Sequence, residues 1–322
     1  MNFITFIFSV ILLFSGGFSW FFTKLHSGYS LPVEFSIFYR NFGSAVFLFT
    51  IMTLSGRIRI FKLNKEEWKV VLVVAFFYYF CYFMGAYHGS KFLAAGIVAF
   101  ISSTKTIFIE LLMAIKERHR PSKTILISAT LGSIGIALMS RANMNISNLT
   151  LGQIIFGLAF AFIAPISNSI SYVVIKTSPA KKTINNFALA MYGFLIGSLL
   201  VLAVGLVKYG KIAPMPLERN YIIGWIYLAF GASGLITVIS YYLIEHIGPS
   251  KTAMMSLAHS PTALLLSVGF MGYTLDWQTT LGMTCCVVAL YFGLKYKKKV
   301  VSQYKRRKFW DRFLRNEKVV NG

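Results

Sequence analysis

Apolar stretches of at least 18 residues recur along almost the whole 322-residue chain, and they constrain its fold more than any other feature. Each stretch is long enough to cross the hydrocarbon core of a bilayer, which is about 30 Å thick. Only 13% of the residues are charged, about half the fraction expected of a water-soluble domain. Because helices satisfy their own backbone hydrogen bonds in lipid, the sequence predicts an all-α polytopic membrane protein.

Ten membrane spans can be drawn along the chain, and the connections between them are short. They cover about residues 3–22, 33–54, 68–87, 92–115, 122–140, 151–174, 185–207, 221–244, 250–271 and 278–295. We therefore expect ten transmembrane helices in two five-helix repeats, at 1–141 and 142–295, followed by a basic tail at 296–322. Since five is odd, the two repeats would cross the membrane in opposite orientations, as the inverted repeats of transporters do.

Basic residues are distributed unevenly about these spans. Of the 32 Lys and Arg residues, 24 lie in the tail and the loops of one side, six lie in the alternate loops, and Arg40 and Lys105 lie inside spans. The positive-inside rule predicts that both termini are cytoplasmic. The Lys, Ile, Phe and Asn content is typical of AT-rich bacterial genomes, and we expect the protein in a bacterial inner membrane. Because topology accounts for the net charge of +22, we expect no nucleic-acid partner.

Three segments carry a resemblance to a known family. They are "FSIFYRNFGSAVFLF", with an aromatic-flanked arginine at Arg40, "MGAYHGSKFLAAGIVAFISSTKTIFIELLMAIKERHRPS", ending in the pair Glu117 and Arg118, and "YYLIEHIGPSKTAMMSLAHSPTALL", with Pro261 in mid-helix. From residue 3 to about 295 the chain resembles the drug/metabolite transporter superfamily, in its ten-helix proteins built from two EamA domains. The chain departs from the family at Lys105, where proline is common.

Lys105 is the residue most in need of an explanation. It lies near the centre of the fourth span, where a charge costs about 3 kcal/mol unless a partner compensates it. Either it bonds carbonyls or a carboxylate of a neighbouring helix, or it faces a substrate in a cavity, with Ser102 beside it. Glu110 lies closer to the cytoplasm, and we interpret it as structural.

Further candidate substrate contacts lie in the second and third spans. Arg40 belongs to a stripe of small and polar residues that repeats every four positions, and it either snorkels to the interface or faces the substrate. Tyr78 and Tyr82 share one helix face by their spacing. Such rings pack within the bundle or form a wall that stacks on a planar or cationic substrate.

The first, sixth and ninth spans supply the remaining candidates. Trp20 follows two glycines in the first span, and Asn168 follows Pro165 in the sixth, so both spans are candidates for interrupted helices that mark a transporter site. The alternative is a plain kink or close packing of helices. His259 lies near the midplane of the ninth span, where it either relays protons or is a hydrogen-bonded core residue.

Together these residues predict a secondary transporter that moves a small polar metabolite by alternating access. The intramembrane cations favour a substrate with a carboxylate or phosphate, either amino-acid-like or nucleotide-like. GxSxG, Walker A and HExxH motifs are absent, so we expect neither an enzyme nor a self-powered pump. We expect no cofactor and no metal, and whether a coupling ion takes part stays open. The alternatives are an exporter of the same fold and a non-transporting scaffold, which would not need Lys105 in a cavity.

The tail predicts a second kind of partner, anionic membrane lipid. Within "YKRRKFWDRFLRNEKVV", Phe309, Trp310, Phe313 and Leu314 recur at helical spacing among basic residues. This pattern is typical of an amphipathic helix on the membrane surface, and the alternative is a disordered tail that only enforces topology.

Overall fold

The computed structural model describes residues 3–26, 29–56, 62–93, 95–140, 150–271 and 276–295, in which all regular structure is helical. Trp20 lies on the first helix, but its side chain is outside the described part, as is the whole tail after residue 295. Twelve main helices cover the ten predicted spans in the described ranges. They are α1 (Phe3–His26), α2 (Val33–Leu54), α3 (Lys65–Phe92), α4 (Ala95–Ser103), α5 (Lys105–Lys116), α6 (Lys123–Ser140), α7 (Leu151–Thr177), α8 (Asn186–Tyr209), α9 (Arg219–Ile247), α10 (Pro249–Met255), α11 (His259–Met271) and α12 (Trp277–Lys295).

Six of these helices are long and apolar enough to cross a membrane by length and composition, namely α2, α3, α7, α8, α9 and α12. Shorter apolar helical stretches cover Phe3–Ser19 and Lys123–Met139. The fourth and ninth spans are each divided into two helices, and their pieces are too short to meet the same length criterion.

Local sequence determines where several helices begin and end. Capping boxes open α3, with Asn64 and Glu67 as partners, and α7, with Thr150 and Gln153, which satisfies backbone donors that have no helical acceptor. At the start of α10, Pro249 occupies the first turn, where its missing N–H is harmless.

A break at Thr104 separates α4 from α5 in the fourth span. The hydroxyls of Ser103 and Thr104 donate to the carbonyls of Phe100 and Ile101, both at 2.6 Å, and thus compete with the backbone ladder. In the ninth span a short 3₁₀ segment, Ser256–Ala258, separates α10 from α11, and Pro261 in the first turn of α11 cannot donate to the preceding turn. The two breaks occupy corresponding positions of the two repeats, so the fourth and ninth spans are the interrupted ones.

Of the two interpretations of the first and sixth spans, interrupted helices are contradicted, because α1 and α7 are both continuous. Gly16 instead allows close packing of α1 on α11, since a Cβ there would lie 2.0 Å from Nδ1 of His259. In α7, Pro165 is accommodated within an unbroken helix.

A π-helical stretch occurs in each repeat at a second pair of corresponding positions, Ala75–Tyr82 in α3 and Tyr227–Leu235 in α9. Two side chains of α2 bond carbonyls in these stretches. Asn41 Nδ2 donates to Tyr79 O at 3.2 Å, and Ser44 Oγ donates to Ala229 O at 2.7 Å. Such π segments are frequent at functional sites.

Helix packing follows the same correspondence between the repeats. Helix α2 packs on α8 and α6 on α12, so each pairs with its own counterpart. Helix α1, the first span of the first repeat, packs on α11 in the fourth span of the second repeat. Helix α7, the first span of the second repeat, packs on α4 and α5, which form the fourth span of the first repeat. This exchange is the pattern of a pseudo-two-fold axis, and it brings both broken segments towards the middle of the bundle.

Candidate functional site

A cavity of about 690 Å³ lies between the two repeats. Its wall includes residues of α1, α2, α3, α7 and α9, together with the two breaks. It reaches the surface at one end, where the exposed residues Ser30 and Lys91 belong to the wall. At depth it is bounded by Lys105 and Thr252. Of the eight predicted site residues, six line this cavity, namely Arg40, Lys105, Tyr78, Tyr82, Asn168 and His259.

Arg40 is held by three hydroxyl groups from three other helices. Its Nε donates to Ser233 Oγ at 2.7 Å, its Nη1 to Tyr87 OH at 3.1 Å, and its Nη2 to Ser19 Oγ at 3.3 Å. The guanidinium also lies 5.3 Å from the ring centroid of Phe83. Arg40 is 9% exposed, so it does not snorkel to the interface, and its bonded partners are all neutral.

Lys105 is the first residue of α5, directly after the break. Its carbonyl accepts a hydrogen bond from Ser169 Oγ at 3.0 Å, which ties the break to α7. In the described part of the chain, its ammonium group has neither a hydrogen-bond acceptor nor a carboxylate partner. A lysine with a structural role at this depth would have such a partner, so this geometry favours a cation that faces the cavity.

Asn168 and His259 flank the same end of the cavity. Asn168 is 2% exposed, and its Oδ1 is buried without a hydrogen-bond partner. A buried amide oxygen without a partner costs about 1–3 kcal/mol. Nε2 of His259 lies 2.9 Å from the Leu12 carbonyl oxygen and donates to it, so one ring nitrogen is engaged in packing α11 against α1.

Tyr78 and Tyr82 stack on each other in the cavity wall, with their centroids 5.3 Å apart and an interplanar angle of 16°. Five further phenylalanine and tyrosine rings of the wall escaped the sequence prediction as site residues, namely Tyr29, Phe83, Tyr87, Tyr172 and Tyr209. Tyr172 had a sequence signal, since it lies four residues after Asn168 and shares its helix face.

Two predicted residues lie elsewhere. Ser102 belongs to the last turn of α4 and is absent from the cavity wall, and its buried hydroxyl has no hydrogen-bond partner. The side chain of Trp20 falls outside the described residues.

Glu110 accepts from the Ser122 backbone N–H at 2.8 Å and from Ser250 Oγ at 2.6 Å, as expected of a structural carboxylate.

The charged side chains among the described residues of the cavity wall are all positive. Arg40, Lys91 and Lys105 belong to it, and among its described residues there is no Asp or Glu. Glu34 lies close to the surface end, but it is outside the wall and bonded to Lys208 at 2.8 Å. Because charges interact strongly at low dielectric, the cavity is suited to an anionic ligand.

Comparisons with known proteins agree with this architecture. The model of the EamA-like transporter family matches the chain twice, over residues 3–141 and 155–294. None of the curated proteins compared with the chain matches it in sequence. A solved structure titled "Crystal structure of protein" is similar to it with a TM-score of 0.72 at 12% identity, covering 88% of this chain and 96% of the other, which shows a shared fold. Since the two family matches together span most of the helices that surround the cavity, this chain belongs to the EamA-like transporter family.

Proposed function

We propose that the protein is a secondary transporter for a small polar metabolite that carries an anionic group. The observation that carries this proposal is the cavity between the repeats, whose wall includes Arg40 and the unpartnered Lys105 but no carboxylate among its described residues. A cation at the centre of a bilayer that lacks a counterion, as Lys105 does among the described residues, costs about 3 kcal/mol, and Arg40 has only neutral partners. An anionic substrate would compensate them, whereas a scaffold protein would gain nothing from them.

Alternating access between two inverted five-helix repeats is the mechanism we propose. The exchanged helix packing, the paired π segments and the paired breaks support the pseudo-symmetry that this mechanism uses. The cavity reaches the surface beside the loop between α1 and α2. At its other end, the bond from Ser250 to Glu110 joins α10 to α5, so opening there would require this bond to break.

Transport by purified protein in liposomes would test the proposal. Reconstituted full-length protein is offered a mixed metabolite extract, and the vesicle contents are analysed by mass spectrometry against protein-free vesicles. We expect enrichment of metabolites that carry carboxylate or phosphate groups. Enrichment of cationic or neutral compounds alone would contradict an anionic substrate. If no metabolite crosses the membrane, whether the extract is placed outside or inside the vesicles, a scaffold would be favoured.

The membrane orientation gives a separate prediction. From the excess of basic residues on one side, we expect ten crossings with both termini in the cytoplasm. Reporter fusions after Arg57, after Arg120 and in the tail should all report a cytoplasmic location, and a fusion after Arg141 should report the periplasm. A periplasmic signal from any of the first three would contradict the orientation.

The basic tail at 296–322 gives a further prediction, which concerns membrane binding. A peptide of residues 300–320 should bind anionic vesicles and become helical, because each basic residue near an anionic surface contributes about 1 kcal/mol. Binding should weaken as salt is raised, since the screening length is about 8 Å at physiological ionic strength. Equal binding to neutral vesicles would contradict the electrostatic attraction, and a peptide that stays unfolded on both would contradict the amphipathic helix.

A further inference from the structure

The aromatic residues of the cavity narrow the class of anion that the proposed transporter would bind. The stacked pair Tyr78 and Tyr82 continues into Phe83, whose ring meets that of Tyr82 edge to face at 5.2 Å. Arg40 lies over the Phe83 ring. Arg40 therefore borders one end of this group of rings, which we call the aromatic wall (Tyr78, Tyr82, Phe83 and Tyr172).

The other end of the aromatic wall leads to Lys105. Tyr172 belongs to the packed cluster against which Tyr78 and Tyr82 lie. On α7, Tyr172 lies one turn after Asn168. Ser169, which directly follows Asn168, donates a hydrogen bond to the Lys105 carbonyl. A ligand lying along the aromatic wall would thus have a cation at each end, Arg40 at one and Lys105 at the other.

The charges argue against a free amino acid as the ligand. An amino acid carries an ammonium group as well as a carboxylate, and a buried ammonium needs an anionic or strongly polar partner. The described residues of the cavity wall offer it hydroxyls and ring faces but no carboxylate, and the cations Arg40, Lys91 and Lys105 in the same wall repel it. Volume argues in the same direction, because a cavity of about 690 Å³ falls in the range that holds drug-sized ligands.

We infer that the substrate combines a planar ring with an anionic group, as a nucleotide does, with the ring on the aromatic wall and the anion at Lys105. This inference rests on the proposed function and deepens it. The phenol rings provide stacking surface for any base, and the amide of Asn168 can pair with a polar ring substituent or a sugar hydroxyl. Lys105 then serves as a point charge for phosphate.

Four probes test separately whether the protein binds the anionic group and whether it binds the planar ring. They are AMP, adenosine, ribose 5-phosphate and glutamate, each titrated against the purified full-length protein with the dissociation constant and thermal shift as readouts. We expect AMP to bind at least about tenfold more tightly than either adenosine or ribose 5-phosphate. Adenosine lacks the phosphate that would contact Lys105, and ribose 5-phosphate lacks the planar ring that would stack on the aromatic wall. Glutamate should bind most weakly.

Variants assign the contacts to residues. Lys105→Met should reduce AMP affinity to about that of adenosine, while Lys105→Arg keeps most of it. Tyr82→Leu should reduce AMP affinity to about that of ribose 5-phosphate and leave ribose 5-phosphate binding unchanged, which a merely unfolded variant would not do. Lys69→Met and Tyr291→Leu are the matched controls, since both side chains are exposed and lie outside the cavity wall.

The outcomes distinguish this inference from the proposed function. If ribose 5-phosphate or glutamate binds as tightly as AMP and Lys105→Met abolishes that binding, the ring contact is wrong and the anion site stands. If AMP binds no more tightly than adenosine and Lys105→Met changes neither, the anionic class itself is overturned. Absence of AMP binding at millimolar concentration overturns the nucleotide-like assignment.

Discussion

Replacing Lys105 with alanine should abolish transport and leave the protein folded. Loss of a charged contact with an anionic substrate lowers affinity by about 10- to 100-fold, so uptake at subsaturating substrate should fall by that factor or more. The folded protein loses no partner, because the ammonium group has none among the described residues. Removing a buried charge that lacks a counterion is neutral or stabilising.

Transport in liposomes and thermal unfolding in detergent, measured on the same preparation, check this prediction. Lys69→Ala provides the control, because Lys69 is an exposed lysine whose ion pair in the described part of the chain is with Glu66 on the same helix face. Lys105→Arg should recover part of the transport. If Lys105→Ala instead unfolds the protein while Lys69→Ala does not, Lys105 is a structural cation and its proposed contact with substrate is wrong.

Replacing Gly282 with leucine should destabilise the protein by about 3 kcal/mol or more, the upper end of the effect of overpacking. Helix α12 packs on α6 through Gly282 and Gly135. A Cβ on Gly282 would lie 2.5 Å from the Gly135 carbonyl oxygen, and one on Gly135 would lie 2.6 Å from that of Gly282. Backbone atoms cannot rotate away as a side chain can, so the two helices would have to separate.

Gly152→Leu is the matched control for this contact. Gly152 is also helical, but a Cβ there would meet no atom of the described residues within 4 Å, so the variant should unfold at a temperature close to that of wild type. Thermal unfolding followed by intrinsic fluorescence compares the two. Equal melting temperatures for Gly282→Leu and Gly152→Leu would show that the approach of α6 and α12 is not needed for stability.

Much of the secondary structure was predictable because lipid leaves the backbone few choices. Each predicted span contains helix, since an apolar stretch in a bilayer has to bond its own carbonyls. Asn64 and Thr150 cap two helix starts by local chemistry alone, although neither was predicted as a cap. The sequence left interrupted helices and close packing both open at Gly16 and Pro165, because these residues disturb a helix in isolation but are accommodated in continuous helices of the folded protein.

The sequence by itself determined that this chain is a multi-pass helical protein with cations at membrane depth, because apolar length and charge position are properties of single segments. Tertiary structure alone decided that Lys105 has no protein partner among the described residues, that Arg40 is held by three hydroxyls, and that Ser102 is absent from the cavity wall. Helix periodicity indicates which residues share a face, but it does not indicate which helix that face meets. Arg40 and Ser233 are 193 residues apart, and only the packing of α2 beside the π segment of α9 brings them together.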